Sequence, residues 1–197
     1  MHREGKIIVG IAGHIGSGKT MVSKFFEDFG AYYISADEIG WEVLIEIKDQ
    51  LSVEFGASII DGEKIDRKKL RDMVFSSNEK LTTLNELSHP LLKKKILERI
   101  NNITSGMIVI DAALLFDWPE ILNELDYSIL VSSADDKKEE RALKNGIDRQ
   151  LFRKILRFQH NEDEMSKLAT YAINNNGTVQ ELAEQSQRIF EEINNDC

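Results

Sequence analysis

An α/β fold with a five-stranded parallel sheet flanked by helices is the architecture this sequence predicts, on three observations. Short apolar runs alternate with helical stretches along the chain. Each run is closed by a turn or a polar segment, as suits a parallel sheet covered on both faces. The first run leads into a glycine-rich segment that opens an amphipathic helix, the punctuation of a strand–loop–helix unit.

Taken in order, the first predicted strand is Ile7–Ala12, followed by the glycine-rich loop and a helix from Met21 to Phe29. Tyr32–Ser35 is the second strand. A helical stretch then runs to about Ile103, too long for a simple crossover, so residues 38–106 read as an inserted helical subdomain. Met107–Ala112 and Tyr127–Val131 are the third and fourth strands. The charged helical stretch 137–167 separates the fourth strand from the fifth, Tyr171–Asn174, and is expected to form a lid. Residues 1–197 thus read as a single domain whose sheet comes from 7–35, 107–132 and 171–174. Ligands of such sheets bind beyond the carboxyl ends of the strands, where the loop and the strand-end residues converge.

Composition narrows the function classes. The chain is 42% hydrophobic and 30% charged with two prolines, ordinary proportions for a globular protein. Its net charge of −9 speaks against a nucleic-acid-binding face, which needs a basic surface. No stretch approaches the roughly 18 to 20 apolar residues of a membrane span, and no signal peptide is read before the first strand. The single cysteine, Cys197, forms no internal bridge, so a reducing cytoplasmic setting is expected.

The chemistry starts at Gly13-His14-Ile15-Gly16-Ser17-Gly18-Lys19-Thr20, which fits the phosphate-loop pattern G-x-x-x-x-G-K-[ST]. Glycines let backbone N–H groups close around a triphosphate, and the following helix N-terminus adds a favourable dipole. Lys19 is expected to reach the β- and γ-phosphates, and the Thr20 hydroxyl to ligate Mg²⁺. ATP and Mg²⁺ are the expected ligands.

Two strand-end carboxylates come next. Asp37 follows the second strand in Ile34-Ser35-Ala36-Asp37. It reads equally as a base that accepts the proton of an attacking hydroxyl and as the N-cap of a helix beginning near Glu38. Asp111 ends Met107-Ile108-Val109-Ile110, an arrangement like a Walker-B strand that could hold Mg²⁺ directly or through water. Other candidates read as structural. His14 is expected to point to solvent. His89-Pro90 is expected to mark a helix-to-helix turn, because the residue before proline is pushed out of the helical region. Arg149, Arg153 and Arg157 repeat every four residues and form one solvated helix face, and Lys93-Lys94-Lys95 reads as surface charge.

The guanine-specifying N-K-x-D motif is absent, and Asp111-Ala112-Ala113-Leu114 stands where a D-x-x-G would follow the third strand. That removes switch GTPases and leaves small-molecule kinases. Along nearly its whole length the chain resembles the dephospho-coenzyme A kinases. The resemblance is carried by the phosphate loop, Phe29-Gly30-Ala31, Ala36-Asp37-x-Ile39 and Glu42-Val43. It continues through Ile65-Asp66-Arg67, Leu70, Val74-Phe75, Leu84-Asn85 and His89-Pro90. Asp111, Leu114-Leu115-Phe116, Arg141, Gln159, Asn175, Gly177 and Leu182 complete it. The segment from Asp66 to Pro90 is the most diagnostic part, since other kinases with this loop do not carry it.

The resemblance implies a phosphate-loop kinase fold with a helical coenzyme A subdomain and a lid, and transfer of the ATP γ-phosphoryl group to the ribose 3′-hydroxyl of dephospho-CoA. It implies Asp37 and Lys19 as catalytic residues. Gly16, Ser17, Gly18, Lys19, Thr20, Met21, Arg141 and Asn175 would bind ATP. Asp37, Arg67, His89 and Leu115 would bind dephospho-CoA, and Thr20 and Asp111 the metal. A cytoplasmic monomer with small-molecule substrates, without nucleic-acid or membrane partners, is expected. Departures from the family pattern stand at His14, Ser35, Ala113, Asp117, Asn145, Met165 and Thr170. The alternatives are a kinase of another small hydroxyl acceptor, such as a nucleoside or nucleotide, and a non-catalytic nucleotide-binding protein.

Overall fold

A computed structural model describes residues 5–196, so Cys197 and the expectation attached to it lie outside the described residues. The chain forms two compact units: residues up to Ser35 together with those from Arg99 onward, and Ala36–Glu98.

The first unit is built on a five-stranded parallel sheet of β1 (Lys6–Ala12), β2 (Tyr32–Ser35), β5 (Gly106–Asp111), β6 (Tyr127–Ser132) and β7 (Tyr171–Asn174). Its strand order is β2-β5-β1-β6-β7. The intervening numbers belong to β3 (Ile60–Asp61) and β4 (Lys64–Ile65), an antiparallel pair in the second unit. All five sequence-read strands appear, with ends shifted by no more than one residue. The β1–β5 register sets Ile8 opposite Ile108 and Ile11 opposite Asp111, while β2 brings Ser35 level with Asp111. The carboxyl ends of β1, β5 and β2 are therefore aligned at one edge of the sheet.

The sheet is buried on both faces because its residues are apolar in both phases. Val9 and Ile11 join Val22, Phe26, Val109, Ile129, Val131 and Ile173 in one core. Helices α1 (Lys19–Asp28) and α10 (Val179–Asn195) cover that side, where the Phe26 and Phe190 rings meet edge to face at 5.5 Å. In the opposite phase Gly10 leaves space that the Leu115 and Leu125 methyl groups fill; a Cβ there would lie 2.5 Å from Leu115 Cδ2. Short α6 (Pro119–Leu122) follows a turn of 3₁₀ helix at Leu115–Asp117. The segment between β6 and β7 folds as α7 (Asp135–Lys144), α8 (Arg149–Phe158) and α9 (Glu162–Leu168).

The second unit contains α2 (Ala36–Glu46), α3 (Lys48–Phe55), the β3–β4 hairpin, α4 (Arg67–Val74) and the larger part of α5 (Asn78–Asn102). Two sequence expectations fail here. The stretch is not purely helical: Gly62-Glu63 turns the chain into a hairpin, with Gly62 at φ +61° where a side-chain-bearing residue is strained. Nor does His89-Pro90 end a helix. Pro90 lies inside the 25-residue α5, which runs through it. Proline costs one hydrogen bond and a local clash, and a long helix with Leu92, Ile96 and Ile100 buried on one face outweighs that.

Candidate active site

The phosphate loop leaves β1 at Ala12 and enters α1 at Lys19. Gly18 occupies the N-cap position at φ 98°, and no side chain caps the helix. The Met21 N–H already donates to the Gly18 carbonyl at 3.0 Å, and with no side-chain cap the N-terminus of α1 ahead of it is open in the way a helix presents itself to an anion. Glycine is required at Gly16 and Gly18 on two counts. Both have positive φ, and a Cβ at Gly16 would lie 2.3 Å from the Lys138 carbonyl, one at Gly18 2.2 Å from Asn175 Nδ2.

Those close approaches belong to a buttress behind the loop. Asn175 Nδ2 donates to the Ser17 carbonyl at 2.7 Å. The Arg141 guanidinium donates to the carbonyls of Gly16 at 3.1 Å and Asn175 at 2.9 Å, and to Ser133 Oγ at 3.1 Å. A peptide whose carbonyl is held to one side turns the next N–H to the other, so fixing the Ser17 carbonyl aims the Gly18 N–H away from the buttress. Arg141 and Asn175 thus shape the loop from its rear. Ser17 itself is fully buried, and its Oγ has no hydrogen-bond partner among the described residues.

Lys19 and Asp111 meet at the front. Lys19 Nζ stands 3.9 Å from Asp111 Oδ1, and Tyr33 donates from its hydroxyl to Asp111 Oδ2 at 3.3 Å. Asp111 is 4% exposed at the end of β5. Among the described residues no cluster of three or more metal-ligating side chains exists. The available donors are one buried carboxylate and the Thr20 hydroxyl on the exposed first turn of α1. Such a sparse oxygen set fits Mg²⁺, which completes its octahedron with water and substrate phosphates, and does not fit a self-sufficient metal cage.

The remaining expected residues fall in several places. Met21 is 45% exposed on α1. Leu115 is fully buried, and its packing against Gly10 accounts for it as a core residue. In the second unit, Asp37 is the exposed second residue of α2, inside the helix and not before it, so it is not the N-cap. Arg67 follows Asp66, whose carboxylate caps α4 by accepting from the Lys68 and Lys69 N–H groups at 3.1 and 3.0 Å. Its guanidinium lies 3.6 Å above the Trp41 ring. His89 is half-buried on α5. Arg149, Arg153 and Arg157 are exposed on α8 as expected of a solvated face.

A family model for dephospho-CoA kinase matches residues 7–181, the loop, the buttress and both units included. The chain belongs to the dephospho-CoA kinase family. Among its relatives, the dephospho-CoA kinase of Aquifex aeolicus is 33% identical over 95% of this chain and 98% of its own length. That of Fusobacterium nucleatum is 32% identical, again over 95% and 98%. A solved Thermus thermophilus structure superposes with a TM-score of 0.79 at 25% identity, covering 96% of this chain and 98% of that one. A Campylobacter jejuni dephospho-CoA kinase (TM-score 0.64, 22% identity, 95% and 97% covered) and an Acinetobacter baumannii shikimate kinase (0.57, 11%, 96% and 94%) share the fold.

Three site residues escaped the sequence reading. His14 is 8% exposed, not turned to solvent. It is held in place by Lys138 and Glu162, which the charge pattern alone does not single out within the charged stretch 137–167. Lys138 is 3% exposed and makes ion pairs with Asp135 at 2.8 Å and Glu162 at 2.9 Å. Burial works against its charge, but the hydrogen bonds and charges of those two carboxylates outweigh it and raise its pKa. The Lys138 hydrogen bond and charge in turn hold the Asp135 carboxyl below its ordinary value. The one available signal was His14 itself, a bulky residue in a loop built from small ones.

Proposed function

We propose that this chain transfers the γ-phosphoryl group of ATP to the ribose 3′-hydroxyl of dephospho-CoA, releasing ADP and CoA. One observation carries the reading: a chain of the dephospho-CoA kinase family keeps Lys19 and Thr20 at an uncapped helix N-terminus, with buried Asp111 3.9 Å from the Lys19 ammonium.

In this reading the loop N–H groups and the α1 N-terminus bind the β-phosphate, and Lys19 spans the β- and γ-phosphates. Thr20 and Asp111 are the residues that would hold Mg²⁺, whose contribution when bound is to neutralise charge on the phosphate oxygens. Asp37 accepts the proton of the 3′-hydroxyl as that oxygen forms its bond to the γ-phosphorus and the bond from phosphorus to the ADP oxygen breaks. Arg141 and Asn175 keep the loop in its binding shape. Arg67 and His89 contribute to dephospho-CoA binding from the Ala36–Glu98 unit, and residues 137–167 act as the lid. The enzyme works on small molecules, as a cytoplasmic monomer.

The test is a coupled ADP-release assay with ATP, Mg²⁺ and a panel of acceptors, with CoA identified by mass spectrometry. Dephospho-CoA is expected to be turned over far faster than nucleosides, nucleotides or buffer. Turnover with dephospho-CoA no faster than with buffer overturns the proposal.

A further inference from the structure

His14 stands at the second position of the phosphate loop, where every function assigned to the loop belongs to backbone N–H groups, Lys19 and Thr20. Its ring nonetheless makes a defined set of contacts. Nε2 lies 2.7 Å from the carbonyl oxygen of His160. A carbonyl only accepts, so Nε2 carries the proton and donates. Nδ1 lies 3.1 Å from Glu162 Oε2 and 3.3 Å from Lys138 Nζ. With Nδ1 unprotonated the ring accepts from the Lys138 ammonium; with Nδ1 protonated it donates to Glu162. The bond to the His160 carbonyl is kept in both forms.

The next residue repeats the connection. Ile15 donates its backbone N–H to Gln159 Oε1 at 2.9 Å. Two successive loop residues are thus bonded to Gln159 and His160, the first two of the three residues that join α8 to α9. That turn is itself anchored: the His160 ring pairs with Asp117, and Glu162 at the start of α9 pairs with Lys138 of α7. The Lys138 carbonyl in turn fills the space beside Gly16. All these residues lie within one compact unit.

We propose that His14 is a positioning residue that ties the α8–α9 turn to the phosphate loop and presets the loop for the triphosphate of ATP. The loop gains through its side chain what its glycines give away, since a glycine-rich segment loses the most conformational freedom on being ordered. A tie made before nucleotide arrives has already met that ordering cost, so it strengthens ATP binding without touching the reacting atoms. The functional half of this inference rests on ATP binding at this loop; the structural half does not.

The experiment separates the two. Hydrogen–deuterium exchange on nucleotide-free His14→Gly is expected to show faster uptake in peptides covering 157–166 than in the wild type, by about tenfold. Steady-state kinetics of the same variant should show the KM for ATP raised about 3- to 10-fold, the effect of losing one or two hydrogen bonds, with kcat lowered less than twofold. His14→Gln, whose amide reaches where Nε2 stands and can still donate to the His160 carbonyl, should restore most of both effects; His14→Asn, which is too short, should not. Unchanged exchange in His14→Gly overturns the tie, whatever the enzyme's acceptor proves to be. Faster exchange with an unchanged KM for ATP, or with a fall confined to kcat, overturns the positioning role. If His14→Gly does not fold, His14→Asn takes its place, and unchanged exchange over 157–166 in that variant overturns the tie.

Discussion

Asp37 is the residue on which the proposed chemistry turns. It lies in the first turn of α2, where any carboxylate gains from the helix dipole, so its presence alone does not prove a chemical role. Asp37→Asn separates the two. A lost general base lowers kcat by about 10² to 10⁴ and leaves ATP binding intact, whereas a lost dipole contact costs under about 1 kcal/mol of stability and spares kcat. The Lys138 cluster makes a prediction in pH. Asp135 has its pKa depressed by the Lys138 ammonium, so its contribution to stability is present at neutral pH and is lost as pH falls through the lowered value, below the ordinary carboxylate range. The Asp135 side chain is 78% exposed, so the contribution is at most about 1 kcal/mol. Asp135→Asn should therefore lower Tm slightly at pH 7, with the gap to the wild type closing as pH falls below the ordinary carboxylate range. A Tm gap that persists undiminished in acid would show that the ion pair is not its source.

At the scale of elements, the start of α10 rests on a reciprocal pair of hydrogen bonds that a substitution can test. Thr178 opens α10 with a capping box: Glu181 N–H donates to Thr178 Oγ1 at 3.2 Å, and Thr178 N–H donates to Glu181 Oε2 at 2.7 Å. Thr178→Ala is expected to lower the unfolding free energy by about 0.5–2 kcal/mol, with Thr178→Ser nearly silent. Urea denaturation checks it; equal midpoints for the alanine variant and the wild type would mean that α10 is held by its packing alone. Pro90 misled for a physical reason. A proline reports the local backbone preference at one turn, while α5 is set by burial summed over 25 residues. The hairpin at Gly62-Glu63 had a signal, a glycine at the first position of the turn, but flanking strands of two residues each are too short to show alternation.

Taken as a whole, the sheet unit is stabilised by a core that reaches both faces, and its weakest point is predictable. Phe26, on α1, is fully buried in the core that includes Val9, Ile11 and Leu182, with the Phe190 ring of α10 across it. Phe26→Ala is expected to cost about 3–5 kcal/mol, a large part of the roughly 5–15 kcal/mol that holds a typical domain. Equilibrium denaturation of the variant, followed by circular dichroism, measures it; a loss under about 1.5 kcal/mol would mean the cavity collapses. Among the described residues no helix is long and apolar enough to cross a membrane.

Order along the chain settled the strands, because a buried parallel strand writes itself as a short apolar run, and with them the places of Gly13–Thr20 after β1 and of Asp111 at the end of β5. It also carried the family, through residues spread from the loop to Leu182. Tertiary structure decided what depends on contacts between residues far apart in the chain. His14 and Glu162 are separated by 148 positions, and neither carries a periodic or positional mark of its partner. Arg141 and Asn175 were read as ATP residues; only the folded arrangement shows them hydrogen-bonding the back of the loop. A buried charge such as Lys138 is invisible in a charged helix until its carboxylates are placed beside it, because desolvation and pairing are properties of the surroundings and not of the residue.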